Sequence, residues 1–437
     1  MKNTPINYEI VKNAIEQSGL SNLGNASIRE IKRLINNIEK DSGEKFIRME
    51  MGIPGLPTPQ IAVDAEKEAL DCGVSALYPD LDGLPLLKQE IARFIKNFTD
   101  VDVDPLHCIP TAGSINGAYA SFMVAGRMNP EKDTVLFIDP GFNVHKQLVK
   151  MVGLKYETFD VYDFRGEKLK DKIESYLKKG NISTIIYSNP NNPSWICFNE
   201  AELKTIGELC TQYDVIAAED MAYFAMDFRS DLSQPGVAPF QPTVAKYTDN
   251  YLMMISASKS FSMAGQRVGM FAVSDKLFKS NHEGLLKYYN STNFGHCLVH
   301  GTVYSTTAGA SHSAQYGLAA VLKAVNDGEF NFVEQLKEYE RRANVMKQLF
   351  IDNGFNIVYD KDIDKPIADG FFFTVAYKGY TSVELIEELF YYGISTISLT
   401  VTGSERSEGL RACVSLVSPD SFHTLESRLQ AFKNNHL

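Results

Sequence analysis

The stretch YLMMISASKSFSMAGQRVGMFAVSD, residues 251–275, joins two apolar runs through a polar turn that holds one lysine, Lys259, among serines, glycines and Arg267. Outward from it, short apolar runs recur: TVLFIDP (134–140), STIIYSNP (183–190) and DVIAAED (214–220), followed by YLMMISAS (251–258) and VGMFAVSD (268–275). Helical stretches separate them, and this alternation predicts a largely parallel sheet covered by helices. Several runs end in a polar or punctuating residue: Asp139-Pro140, Asn189-Pro190, Asp220 and Ser256. Open α/β sheets collect ligands at the carboxyl ends of their strands, so these residues are expected to converge.

Beyond about residue 320 the texture changes. A charged helical segment (332–354) precedes GFFFTVAY (370–377), a second helical stretch, SVELIEELFYYG, and LRACVSLV (410–417), which together read as a smaller α+β domain. The first 50 residues carry the mixed-charge helix SIREIKRLINNIEK and lead into the turn-rich MGIPGLPTP (51–59), an arm that crosses from one domain to the other. The expected organisation is an arm with part of the small domain over 1–50, a large domain over 51–320 and a small C-terminal domain over 321–437.

The whole chain of 437 residues is 44% hydrophobic and 22% charged, the composition of an ordinary folded enzyme. A formal net charge of −11 with no basic block argues against general binding to nucleic acid or anionic membranes. No apolar stretch has the length of a signal peptide core or a membrane span, which makes the cytoplasm the expected location. Six cysteines, Cys72, Cys108, Cys197, Cys210, Cys297 and Cys413, stand singly without CxxC spacing and read as reduced core thiols. His296 and His300 flank Cys297 at i and i+4, but no further metal motif accompanies them; structural histidines and no bound metal are the expectation.

A lysine at the end of a buried strand, with Ser256, Ser258, Gly265 and Arg267 around it, suits a ligand that carries both an aldehyde and a phosphate. Pyridoxal phosphate has both. The aldehyde condenses with an amine whose pKa is lowered by desolvation and nearby positive charge. The phosphate takes hydroxyl donors, helix-start N–H groups and a fixed cation, which Ser256, Ser258 and Arg267 supply, with Gly113 and Ser114 of TAGSINGAY (111–119) adding to them.

The pattern SxSKxFxxxGxRxG resembles the lysine region of fold-type I pyridoxal-phosphate enzymes, in particular the class I/II aminotransferases of the aspartate aminotransferase family. YPDLDGLPLLKQEIARF (78–94), SNPNNPS (188–194) and EDMAY (219–223) resemble further motifs of that family, in its order and across most of the chain. The resemblance implies a seven-stranded, mainly parallel sheet in the large domain and an aminotransferase working through a Schiff base on Lys259. It assigns Asp220 to the ring nitrogen, Tyr223 and Asn192 to the phenolic oxygen, and Phe142 to the ring face. Gly113, Ser114, Ser256, Ser258 and Arg267 fall to the phosphate. Arg411 takes the substrate α-carboxylate, aided by Asn192 and the backbone at Gly52, and Tyr78 reaches across a two-fold boundary to the neighbour's phosphate in a homodimer.

Each assignment has a plainer reading beside it. Asp220 could cap a helix, Phe142 and Tyr223 could be core, and Arg406 is a rival to Arg411. Where the family reads Asn-Pro-Thr-Gly, this chain has Asn192-Pro193-Ser194-Trp195, so its one tryptophan either narrows the pocket or packs outside it. No arginine occurs in GTVYSTTAGASHS (301–313), where dicarboxylate-specific members carry a second one; this favours an aromatic, aliphatic or broadly tolerated amino acid over strict aspartate specificity. A C–S lyase of the same fold is the nearest alternative and a pyridoxal-phosphate-sensing regulator a remote one.

Overall fold

A computed structural model describes residues 4–436. The described chain divides into two compact units, one of residues 56–190 with 197–336, the other of residues 4–55 with 191–196 and 337–436.

The larger unit is built on seven strands: β1 (Cys108–Thr111), β2 (Thr134–Asp139), β3 (Lys155–Asp160), β4 (Ile182–Ser188), β5 (Ile216–Met221), β6 (Tyr251–Ser256) and β7 (Gly269–Val273). Their order is β1-β7-β6-β5-β4-β2-β3, and only β7 runs against the others. Every residue of β2, β4, β5, β6 and β7 is buried, as a parallel sheet covered on both faces requires. This is the α/β architecture expected from the apolar runs. The register aligns Ser188 with Asp220 and Ser256 with Gly269, and Thr111 also pairs with Gly269. Thr111, Ser188, Asp220, Ser256 and Gly269 therefore lie along one edge of the sheet, where the ligand-bearing turns begin.

The smaller unit has a four-stranded antiparallel sheet. Its strands β8 (Phe355–Ile357), β9 (Phe372–Tyr377), β10 (Ile397–Ser398) and β11 (Leu410–Cys413) are ordered β10-β11-β9-β8. The helix Ile28–Ser42 belongs to this unit. It opens with a capping box in which Ser27 and Glu30 satisfy each other's backbone N–H groups, and its buried face is Ile31, Leu34, Ile35 and Ile38. Next to it in sequence, Ile47–Arg48 pairs in parallel with Ile394–Ser395.

All six cysteines are free, and Cys108, Cys210, Cys297 and Cys413 are buried. The expectation of core thiols fails for two: Cys72 is exposed because it caps the C-terminus of the surface helix Gln60–Asp71, and Cys197 is half-buried. Among the described residues no helix is long and apolar enough to cross a membrane.

Candidate active site

In the larger unit the helix Ser114–Met128 starts directly after β1, and its N-terminus carries orphan N–H groups and a partial positive charge. Gly113 precedes it with φ 78°, a conformation that disfavours side chains, and a Cβ there would come 2.4 Å from Nη2 of Arg267. A Cβ on Gly269 would meet the Gly113 carbonyl carbon and the Ser114 nitrogen, each at 3.1 Å. The two glycines thus let the Arg267 guanidinium and β7 close onto the helix start. Arg267 is exposed, sits at φ 53°, and donates from Nη1 to the Ala264 carbonyl at 2.9 Å. A planar cation beside a helix N-terminus is a site for an oxyanion.

β6 ends at Ser256, whose hydroxyl accepts from the Ser258 N–H at 3.2 Å and starts the single helical turn Ala257–Ser260. That turn lifts Lys259 off the sheet edge, half-buried, while Ser256 and Ser258 stay buried.

Asp220 stands near the end of β5. It is buried, and its Oδ1 has no hydrogen-bond partner among the described residues. Burial pushes its carboxyl up to about 7, against the opposing pull of the Ala222 N–H and the Lys259 charge. Oδ2 lies 4.0 Å from Nε2 of His145, and burial lowers that imidazole to about 4. His145 is therefore neutral at pH 7, and the contact is polar rather than an ion pair. Its ring meets Phe142 edge to face, with centroids 5.4 Å apart. Phe142 itself precedes the helix Asn143–Met151 and is half-buried. Phe142, His145, Ser188 and Asp220 line one shallow pocket at this edge. Tyr223 is buried in the turn after β5, and Tyr78 is 91% exposed.

The smaller unit gathers Arg411, Asn192 and Gly52. Arg411, on β11, is buried; Nη1 donates to Asn192 Oδ1 at 3.3 Å, and Nη2 to the Glu50 carbonyl at 2.8 Å. The guanidinium carbon lies 4.5 Å from the centroid of Phe372. Gly52 keeps that face open, since a Cβ there would touch the Phe372 ring at 3.0 Å and stand 3.9 Å from Arg411 Nη1. Arg406, the rival, lies over the Tyr359 ring, 5.6 Å from its centroid.

Trp195 resolves toward packing. It is fully buried in the smaller unit, 6.1 Å from Phe372 edge to face, and a Cβ on Gly370 would fall 2.2 Å from its ring. The loop around it closes on itself: Asn191 Oδ1 accepts from the Ser194 hydroxyl at 2.7 Å, and the Trp195 N–H donates to the Asn191 carbonyl at 2.9 Å. His296 and His300 are exposed with ring centroids 5.0 Å apart, and Cys297 between them is buried.

Two residues at this sheet edge were not singled out from sequence. His145 sits three residues after Phe142, one helical turn on, and that spacing is its only signal. Glu219 is the buried neighbour of Asp220 on β5, pointing to the opposite face as strand alternation demands. Its Oε2 accepts from the Thr243 hydroxyl at 2.5 Å and the Val244 N–H at 3.3 Å, while burial raises it to about 7. An acid inside an apolar strand was the available signal.

A sheet edge with a helix-start oxyanion cradle, a lysine and a buried carboxylate defines a class of enzyme. Residues 44–429 match the aminotransferase class I and II family, and the chain belongs to that family. It is 27% identical over 357 residues to a probable aspartate aminotransferase of Methanocaldococcus jannaschii, covering 82% of this chain and 83% of that one. It is 24% identical over 408 residues to an asparagine–oxo-acid transaminase of Streptococcus mutans, covering 90% and 93%. A solved double mutant of Thermus thermophilus aspartate aminotransferase superposes with a TM-score of 0.74 at 16% identity, over 97% of this chain and 98% of that one.

The protein is an aminotransferase, and the cofactor of its family is pyridoxal phosphate. The residues present fit that group. The partnerless oxygen of Asp220 suits a protonated ring nitrogen, and a positive charge there would draw the raised carboxyl back down. The Gly113–Ser114–Arg267 cradle suits its phosphate.

Proposed function

We propose that this aminotransferase acts on aromatic, aliphatic or a broad range of L-amino acids, with Lys259 as the group that holds the cofactor and moves the proton. The observation that carries the site reading is the Asp220 oxygen, buried and without a partner, on the same sheet edge as Lys259. The donor class rests on the lack of arginine in residues 301–313.

When bound, pyridoxal phosphate supplies an aldehyde for the amino group and a ring that accepts electrons. Arg267, Gly113, Ser114, Ser256 and Ser258 would hold the phosphate, and Phe142 would serve the ring face. Asp220 would keep a proton on the ring nitrogen, and neutral His145 beside it would add no competing charge. Tyr223 would hydrogen-bond the phenolic oxygen, a role the family resemblance also gives to Asn192. Arg411 forks onto the substrate carboxylate, with Asn192 and the Gly52 backbone beside it. Lys259, half-buried at the sheet edge, would take the proton from the substrate Cα as general base and give it back as general acid. Tyr78, 91% exposed, is free to serve the phosphate of a second copy, so we read the working enzyme as a homodimer. Full activity in a monomer by sedimentation contradicts this.

The test is a half-reaction screen. The cofactor-loaded protein is mixed with single amino acids, and the absorbance of lysine-bound cofactor is followed. Its loss with stoichiometric release of the matching oxo acid from an aromatic or aliphatic donor supports the reading. Response to aspartate alone overturns the donor class, and release of pyruvate, ammonia or a thiol with the absorbance retained replaces transamination with the lyase chemistry.

A further inference from the structure

A second cavity lies at the opposite, amino-terminal edge of the same sheet. It holds about 190 Å3, room for a small aliphatic molecule. Ser183 near the start of β4, Ile216 at the start of β5 and Asn250 just before β6 form its inner wall. The other ends of β4 and β5 carry Ser188 and Asp220, so at a rise of about 3.3 Å per residue the cavity is roughly 15 Å from the catalytic edge.

Its lining is chemically biased. Two ammonium groups, Lys132 and Lys276, face one carboxylate, Asp214, in a chain whose net charge is −11. Asp214 turns that carboxylate to solvent, 83% exposed and 3.9 Å from Lys132 Nζ. Lys132 is held in place, 17% exposed, by donating to the carbonyls of Tyr213 at 2.8 Å and Asp214 at 2.7 Å. An ammonium has three N–H donors, so one remains. Lys276 is exposed and has no ion pair among the described residues. The Asn129 side-chain oxygen accepts from the Glu131 N–H at 3.0 Å, which leaves its NH2 for another acceptor. Between these donors the floor is apolar: Ala125, Met128, Ile216 and Leu277.

We propose that this cavity binds a small aliphatic dicarboxylate, with its methylenes on the apolar floor and its carboxylates at Lys132 and Lys276, as a site separate from catalysis. The inference does not depend on the proposed donor class. The ligand's distance from Asp220 makes it a modulator, not a substrate, of the reaction.

The probe is succinate, titrated by calorimetry into cofactor-loaded protein carrying Arg411→Ala, so that the candidate substrate carboxylate site does not contribute. One succinate per chain is expected. Adding Lys276→Glu, an exposed change that leaves the unfolding temperature unaltered, weakens binding by about tenfold or more through loss of one attraction and gain of one repulsion. Adding Thr211→Lys instead, at the exposed end of the helix Glu200–Gln212 on the cavity wall, tightens it several-fold. No binding in the Arg411→Ala protein at 50 mM succinate, on the order of ten times a weak millimolar constant, overturns the proposal. So does binding that Lys276→Glu leaves unchanged.

Discussion

The two clusters of candidate residues differ in how the chain assembles them. The candidate cofactor cradle in the larger unit is made at the ends of neighbouring strands: Gly113 after β1, Asp220 on β5, Ser256 ending β6, Lys259 just after it, and Gly269 opening β7. The candidate carboxylate cluster in the smaller unit draws Gly52, Asn192, Phe372 and Arg411 from four distant segments, joined by a 3.3 Å hydrogen bond and a 4.5 Å cation–π contact. The first is fixed by sheet register, which is set once the strands pair. The second depends on side-chain packing around one buried guanidinium. Losses in the cradle should therefore abolish chemistry, and losses in the other cluster should weaken substrate binding.

The largest effect expected is from Lys259→Ala, which removes proton transfer and the covalent hold together; turnover should fall by about 10⁴-fold or more. Stopped assays and the lysine-bound absorbance should vanish in parallel. Asp220→Asn should follow, with kcat lower by about 10²–10³-fold while the cofactor still binds.

Asp220 also carries a pH signature. In the protein without cofactor its carboxyl sits at about 7, against an unfolded value of roughly 4. The folded state then holds a proton the unfolded state lacks, so stability is full below about pH 4 and is lost as pH rises through about 7. Glu219 at about 7 and Asp139 at about 6 push in the same direction, while His145, lowered to about 4, opposes them up to its unfolded value of roughly 6.5 and offsets one of the three. The unfolding temperature of the cofactor-free protein should fall from pH 5 to pH 8, and Asp220→Asn should flatten part of that slope. A slope of the opposite sign breaks the account of the buried carboxylate.

Arg411→Lys sharpens the comparison from the other side. KM for the amino acid should rise by about tenfold to a hundredfold, because an ammonium cannot make a planar fork, with the bound-cofactor absorbance unchanged. The smallest effect on catalysis belongs to Gly370→Ala, whose Cβ would fall 2.2 Å from the Trp195 ring. Overpacking there should cost about 1–3 kcal/mol of stability in denaturant unfolding, with kcat nearly unchanged.

The same contrast explains what the sequence made legible. The five quoted apolar runs became β2, β4, β5, β6 and β7, because a strand buried on both faces is apolar throughout. Strand β3, KYETFD, escaped because it is a sheet edge with four of its six residues at least partly exposed, and β1 is only four residues long. Lys259 and Arg267 were readable from their motif, whereas Arg411 and Arg406 could be ranked only by resemblance. Three-dimensional packing separates them: one meets Asn192 and Phe372, the other covers Tyr359. His145 and Glu219 lay in plain view in the sequence, but their roles come from burial, which a single histidine or glutamate does not announce. Trp195 shows the reverse case, a conspicuous residue whose work is to fill space against Gly370.

The most direct test of the central claim is to load the protein with pyridoxal phosphate, reduce it with borohydride and locate the modified peptide by mass spectrometry. The account predicts a single phosphopyridoxyl group, on Lys259 in the peptide that spans residues 256–267. Modification at any other lysine in its place, or none at all, would contradict it.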